Sequence, residues 1–140
     1  MAYCTLADLI SKIPESSIIG LSNDDPEVAE INMTNVTAAI AAADHEIDSY
    51  VSLVVALPVV PTPPLLNDLS AKMAIWNLHL RKYFNSEVWQ KTYWTCQRIL
   101  LRIAEGKLNI NASLDGAAVD CIVAATRPQR FTETLWSTFR

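Results

Sequence analysis

The chain has 140 residues, of which 51% are hydrophobic and 19% are charged, and its formal net charge is −4. This length allows one domain with a substantial core, and the composition excludes a disordered chain. The three glycines are too few for an all-β fold with many tight turns or for a glycine-rich phosphate loop.

No targeting or membrane segment is visible in the sequence. The most apolar run, residues 51–60, is interrupted by Pro58 and is about half as long as the ~20 residues that a membrane span requires. Three scattered cysteines do not form a disulfide framework. These features predict a chain that is made in the reducing cytoplasm and does not enter a membrane.

The charges are divided between the two halves of the chain. Residues 1–70 hold one basic and ten acidic residues, a balance of −9, whereas residues 71–140 hold ten basic and five acidic residues, a balance of +5. Because the basic residues are spread over two helices and a tail, they do not form a concentrated nucleic-acid face. The separation of acidic and basic halves suits contact between copies of the chain at least as well as it suits contact with a nucleic acid.

The first half of the chain predicts two short helices and one long helix. Thr5 can cap a short helix that Pro14 stops, and another helical turn is predicted over residues 15–21. After an acidic loop, Asn32 is the predicted N-cap of a helix that Pro58 terminates. Its apolar face repeats every three or four residues and comprises Val36, Ile40, Ala43, Ile47, Tyr50, Val54 and Leu57.

The second half predicts two more amphipathic helices. Thr62 is the predicted cap of the first, with Pro63 at its first position, and Ser86 is the predicted cap of the second, which Gly106 ends. The apolar face of the first helix comprises Leu66, Leu69, Met73, Trp76, Leu80 and Tyr83. The apolar face of the second comprises Trp89, Tyr93, Cys96, Leu100 and Ile103.

Three amphipathic helices with short connections favour an all-α fold. We expect a small bundle of three main helices plus the short N-terminal helices over residues 1–110, with a short strand at residues 108–110. Residues 111–140 lose the periodic pattern and are predicted to form an extended C-terminal arm.

The arm ends in a concentration of large apolar side chains, although chain ends are usually polar. Aromatic side chains bury about 150–250 Å² each, so leaving them in water would favour aggregation. They must pack either on the chain's own bundle or on a neighbouring subunit or partner. The predicted interface comprises Arg127, Arg130, Phe131, Leu135, Trp136 and Phe139.

The sequence offers one cluster that could suit a metal or acid/base site, at residues 44–48. Asp44 and Asp48 lie one helical turn apart on the flank of the long helix, and Glu46 points further out. Because metal ligands and general bases converge in a cleft, we interpret these carboxylates as an acidic stripe that is either solvated or part of an interface. His79 and Cys96 are interpreted as packing residues, and no catalytic residue, metal or cofactor is predicted.

The ordered combination of these stretches resembles the small head–tail connector, or adaptor, proteins of tailed phages, typified by a protein of Mu-like phages and prophages. The matching stretches span nearly the whole chain: MAYCTLADL, AAADHEIDSYV, ALPVVPTPPLLNDLSAKMAIWNLH, IAEGKLNI and RFTETLWSTF. The resemblance implies a helical virion protein without catalytic activity.

The resemblance also implies partners and a location. Subunits would form a ring, of about twelve copies, beneath the portal protein, with neck or tail proteins below and DNA passing through the lumen without sequence-specific binding. The protein would lie at the head–tail interface of the virion and in the host cytoplasm during assembly.

Parts of the sequence are also compatible with two other functions. A nucleic-acid-binding helical module would use Lys72, Arg81, Lys82, Lys91, Arg98 and Arg102 and would bind with a steep salt dependence. A small enzyme would need a convergent pocket around Asp44, Glu46 and Asp48.

Overall fold

The computed structural model describes residues 2–57, 59, 61–83 and 85–110. This part of the chain forms five α-helices and contains no strand, which confirms the predicted all-α fold. The helices are α1 (Leu6–Lys12), α2 (Glu15–Ser22), α3 (Met33–Val51), α4 (Pro64–Arg81) and α5 (Glu87–Ala104). The predicted arm lies outside the described residues.

Helix α4 lies at the centre of the bundle and packs against each of the other four helices. Its buried side chains therefore cover much of its circumference, and Leu69, Met73 and Leu78 are almost completely buried. Helix α3 packs on α4 and α5, whereas α1 and α2 pack on each other and on α4. A single hydrophobic core includes side chains from all five helices.

Local hydrogen bonds fix the helix ends where the sequence predicts them. At the start of α1, Asp8 accepts a hydrogen bond from the Thr5 backbone N–H at 2.7 Å, and this bond is the main cause that lowers the pKa of Asp8. At the start of α3, the Asn32 side chain accepts from the Asn35 N–H at 3.3 Å. Both predicted N-caps are confirmed.

Gly106 ends α5 in the left-handed conformation, with φ of +74°. Its N–H bonds to the Ile103 carbonyl at 3.0 Å, and the Lys107 N–H bonds to the Arg102 carbonyl at 3.0 Å. This pair of bonds satisfies carbonyl groups that the helix end would otherwise leave unpaired, as a Schellman motif does.

Gly106→Ala is expected to lower the free energy of unfolding by about 1 kcal/mol. A Cβ atom added at this position would meet nothing within 4 Å, so the cost comes from the positive φ alone. Gly20 has the same open space and no positive φ, so Gly20→Ala is the matched control and should not lose stability. Urea unfolding of the two variants measures the difference, and equal losses would contradict the assignment.

Helix α3 ends six residues earlier than its apolar pattern predicts. It stops at Val51, and the next residues form tighter turns in which the Val54 N–H bonds to the Val51 carbonyl at 3.0 Å. Val54 and Leu57 are exposed, so they do not continue the core face. The helix ends early because β-branched valines have a low helix propensity and because Pro58 biases Leu57 away from helical backbone dihedrals.

Helix α4 differs from the prediction at both ends. Its N-cap is Pro63 and its first residue is Pro64, because a residue that precedes proline is displaced from helical dihedrals, so Pro63 cannot begin the helix. At the other end, Leu80 is exposed and Tyr83 is 95% exposed with φ of +54°. The core face of α4 therefore ends at His79. The predicted strand at residues 108–110 is absent.

Candidate functional site: the carboxylates of α3 and the surface of α5

Asp44 is buried inside the bundle, with only 4% of its surface exposed. Its carboxylate accepts hydrogen bonds from the Tyr3 backbone N–H at 3.2 Å and from the Ser70 hydroxyl at 2.6 Å. Asp44 thus connects α3 with the N-terminal segment and with α4. The prediction that Asp44 contributes to an exposed acidic interface is wrong, because the N-terminal segment packs over this flank of α3.

The polar groups around Asp44 form a satisfied chain. Ser70 has one hydroxyl proton, which it shares in a hydrogen bond with Asp44, so its oxygen can accept a hydrogen bond from the Cys4 thiol, whose Sγ lies 3.1 Å away. Burial raises the pKa of Asp44, and the charge of Asp48 acts in the same direction, while the bonds from Ser70 and Tyr3 oppose them. This arrangement is typical of a structural buried carboxylate.

The other two carboxylates of α3 point toward different partners. Asp48 accepts a hydrogen bond from the Tyr3 hydroxyl. Glu46 accepts bonds from the Tyr93 hydroxyl at 2.8 Å and from the Gln97 amide at 3.0 Å, both on α5. The three carboxylates therefore do not converge. Glu46 and Asp48 are half-buried, so part of each side chain faces the surface. Their role in an interface stays a prediction.

The concave surface beside α3 lacks a free carboxylate among the described residues. A groove of about 300 Å³ lies beside α3, but both of its carboxylates, Asp44 and Asp48, already accept hydrogen bonds from Tyr3. No group of three or more His, Cys, Asp or Glu side chains within the described part of the chain could hold a metal ion. The groove therefore offers no ready acid/base pair.

His79 and Trp89 pack as core residues at the junction of α4 and α5. His79 is buried, its Nδ1 lies 2.8 Å from the Ile75 carbonyl, and its ring stacks on Trp89 with a centroid distance of 6.1 Å. The carbonyl can only accept, so Nδ1 carries the proton. The predicted packing role of His79 is confirmed.

Cys4 and Cys96 are expected to react slowly with iodoacetamide in the folded protein. Burial raises the pKa of each thiol to about 11, and only the thiolate is nucleophilic. At neutral pH, the thiolate fraction alone should slow the reaction about 100-fold relative to an ordinary cysteine. Mass spectrometry of alkylated peptides, with and without urea, tests this. Fast alkylation of either residue without urea would contradict the burial.

Half of the basic residues considered for nucleic-acid binding are held in ion pairs. Lys72 pairs with Asp68 at 2.6 Å, Arg81 with Asp24 at 2.9 Å and Lys91 with Glu87 at 2.7 Å. Arg81 also donates to the Leu21 carbonyl at 2.9 Å, so it fastens α2 and the residue Asp24 that follows it to α4. This pairing reduces the positive charge available to a nucleic acid.

The outward side of α5 is a surface that the apolar pattern did not reveal. Trp94 is 52% exposed and Leu101 is 50% exposed, and their separation of seven residues places them on one side of the helix. Exposed cations share this side. We define the α5 outer face as Lys91, Trp94, Arg98, Leu101 and Arg102.

The predicted interface of the arm cannot be placed in the same way. These positions lie outside the described residues, and their role stays a prediction. They are Arg127, Arg130, Phe131, Leu135, Trp136 and Phe139.

Comparison with known proteins identifies one family. A family model described as Bacteriophage Mu, Gp36 matches residues 3–121, a range that includes all five helices. None of the curated proteins matches the chain. In the part of the chain that the structure describes, no helix has both the length and the hydropathy to cross a membrane.

Proposed function

Because the chain belongs to the Bacteriophage Mu, Gp36 family, we propose that it is a structural protein of the virion that connects head and tail. In this role it is an adaptor subunit that assembles into a ring beneath the portal. The family match over residues 3–121 is the observation that carries the proposal. The protein then belongs to the neck of the particle and acts by binding other proteins.

The chemistry of the described helices supports a structural role. The carboxylates of α3 already accept hydrogen bonds from other segments of the bundle, as the bonds from Tyr3, Ser70 and Tyr93 show. Catalytic carboxylates instead converge on a shared site. A helical unit whose buried carboxylate, Asp44, is held by hydrogen bonds from two other segments is a suitable building block for a symmetric assembly.

The proposed ring contains about twelve subunits and extends the channel through which DNA passes. The portal protein binds above it, and neck or tail proteins bind below it. The chain is acidic overall, with a net charge of −4, so its surface repels DNA on average and favours passage without sequence-specific contact. Assembly takes place in the host cytoplasm before the particle is complete.

Electron microscopy of particles that carry a tagged copy of the chain tests this proposal. The expected result is a ring of density at the portal vertex, present in heads that contain the chain and missing from heads assembled without it. Heads lacking the chain should also fail to join tails. Density in the capsid shell or at the distal end of the tail would reject the connector role.

A further inference from the structure

The α5 outer face combines apolar area with unpaired positive charge. Trp94 and Leu101 lie about 10 Å apart along the helix, and Arg98 lies between them. Within the described residues, no acidic side chain forms an ion pair with Arg98 or Arg102, whereas Lys91 is paired with Glu87. This face therefore suits a partner surface that is both acidic and partly apolar.

The chain itself presents such a surface between α2 and α3. We define the acidic loop as residues 23–33, which join α2 to the first residue of α3 and expose Glu27, Val28, Glu30 and Met33. Glu27 and Glu30 form no ion pair within the described residues, while Val28 and Met33 add apolar area.

The acidic loop is held in a defined shape. The Asn23 side-chain amide donates to the Ile19 carbonyl at 3.0 Å and also to the Glu30 carbonyl, which fastens both ends of the loop. Arg81 pairs with Asp24 at 2.9 Å and fixes the loop to the end of α4. A preformed loop loses less conformational entropy when it binds.

The two surfaces belong to different parts of the bundle. The main packing partners of α5 are α3 and α4, whereas the acidic loop is anchored through α2 and the C-terminal end of α4. Contact between two different patches of identical chains is heterologous, and it closes into a ring when the rotation allows. We propose that the α5 outer face of one subunit binds the acidic loop of the next, an inference that rests on the proposed ring.

Charge indicates which part of a second copy binds the α5 outer face: the acidic loop, another α5 outer face or the arm. Two α5 outer faces would bring the unpaired Arg98 and Arg102 of both copies together, whereas Lys91 is already neutralised by Glu87. Residues 127–140 contain three arginines, Arg127, Arg130 and Arg140, and one acidic residue, Glu133, so the end of the arm is also basic. The acidic loop of a second copy is the complementary surface. Trp94 would supply apolar binding energy, and the charges would set the orientation.

Reciprocal charge reversal tests the pairing. Arg98→Glu with Arg102→Glu reverses the α5 outer face, and Glu27→Arg with Glu30→Arg reverses the acidic loop. Each double variant should weaken self-association by more than about 100-fold, because like charges then meet at the contact. A mixture of the two double variants, and the quadruple variant, should associate again, because opposite charges are restored. Sedimentation velocity of the full chain from micromolar to millimolar concentration measures these effects.

Control variants separate the pairing from a general effect of charge. Lys82→Glu reverses one positive charge, half the change in the α5 double variant, next to α2 instead of on α5, and should not weaken association. Circular dichroism should show equal helix content in all variants. Trp94→Ala should weaken association by about 30-fold.

Three results would overturn the inference. They are wild-type chain that stays monomeric at millimolar concentration, reversed variants that associate as the wild type does, and variants that weaken association but are not restored by the reciprocal reversal. If the α5 reversal instead removes binding to duplex DNA and leaves self-association unchanged, the face binds nucleic acid and the proposed contact is wrong. Failure of these tests with a ring still seen at the portal vertex would reject this contact alone, whereas absence of that ring would reject the connector.

Discussion

Replacing Asp44 with alanine is expected to lower the free energy of unfolding by about 2 to 4 kcal/mol. The substitution removes the acceptor for the Tyr3 backbone N–H and the Ser70 hydroxyl. Leaving buried donors without an acceptor costs more than the net value of the bonds themselves, because their desolvation is no longer compensated. Urea unfolding followed by circular dichroism measures the loss.

Glu46→Ala is the matched control for this prediction. Glu46 lies on the same helix and also accepts two hydrogen bonds, from Tyr93 and Gln97, but these partners are only partly buried and can bind water instead. The loss should therefore stay below about 1 kcal/mol. If Asp44→Ala and Glu46→Ala are equally destabilising, the buried network is not a special anchor of the N-terminal segment.

The stability difference between the wild type and Asp44→Asn should depend on pH in a defined direction. The folded pKa of Asp44 is raised, so the folded state binds the proton more tightly than the unfolded state, whose pKa is about 3.9. Wild-type stability should therefore fall, relative to the asparagine variant, as pH rises from the unfolded pKa to the raised folded pKa.

Other carboxylates do not disturb this comparison. Hydrogen bonding lowers the pKa of Asp8. Asp68 is partly desolvated, but its bonds to Lys12 and Lys72 still lower its pKa. The stability that these two carboxylates contribute is therefore lost as pH falls. Both residues are present in wild type and variant, and their effects cancel in the difference. A wild-type advantage that grows with pH would contradict the raised pKa of Asp44.

The periodic apolar pattern predicted the fold because it reports how each helix meets the core. The buried positions Val36, Ile47, Leu66 and Leu100 follow the three-and-four spacing. The pattern did not predict where the helices begin and end, because local backbone chemistry determines those positions. The clearest example is Pro63, which the following proline excludes from the helix.

The site could be predicted less well, since its geometry depends on contacts between residues far apart in sequence. Asp44 lies next to the core residue Ala43 at the edge of the apolar stripe, and it is buried against Tyr3, 41 positions away, and Ser70 on α4. Trp94 shows the opposite case, because no described segment of the chain covers it. Periodicity within one helix identifies a flank, but it does not identify which segment covers that flank.

Truncation of the chain after Arg130 is expected to prevent stable assembly of the proposed ring on the portal while leaving the bundle folded. The five helices contain their own core, so thermal unfolding of the truncated chain should remain cooperative. The segment that is removed carries Phe131, Trp136 and Phe139, and large aromatic side chains are frequent hot spots of interfaces. Trp136→Ala alone should weaken portal binding by about 30-fold. Electron microscopy counts rings, and a pull-down with portal protein measures binding.

Ser137→Ala is the matched control for Trp136→Ala, because it changes the neighbouring residue without removing apolar area and should bind as the wild type does.

Comparing the truncated chain with the α5 reversal separates the roles of the arm and of the α5 outer face. If the arm binds the portal and α5 binds the next subunit, truncation should leave the millimolar self-association of the free chain intact, whereas reversal of Arg98 and Arg102 should weaken it by more than about 100-fold. A truncated chain that also loses self-association would place the arm between subunits. A truncated chain that forms full rings and still joins the portal would show that Phe131, Leu135, Trp136 and Phe139 do not serve assembly.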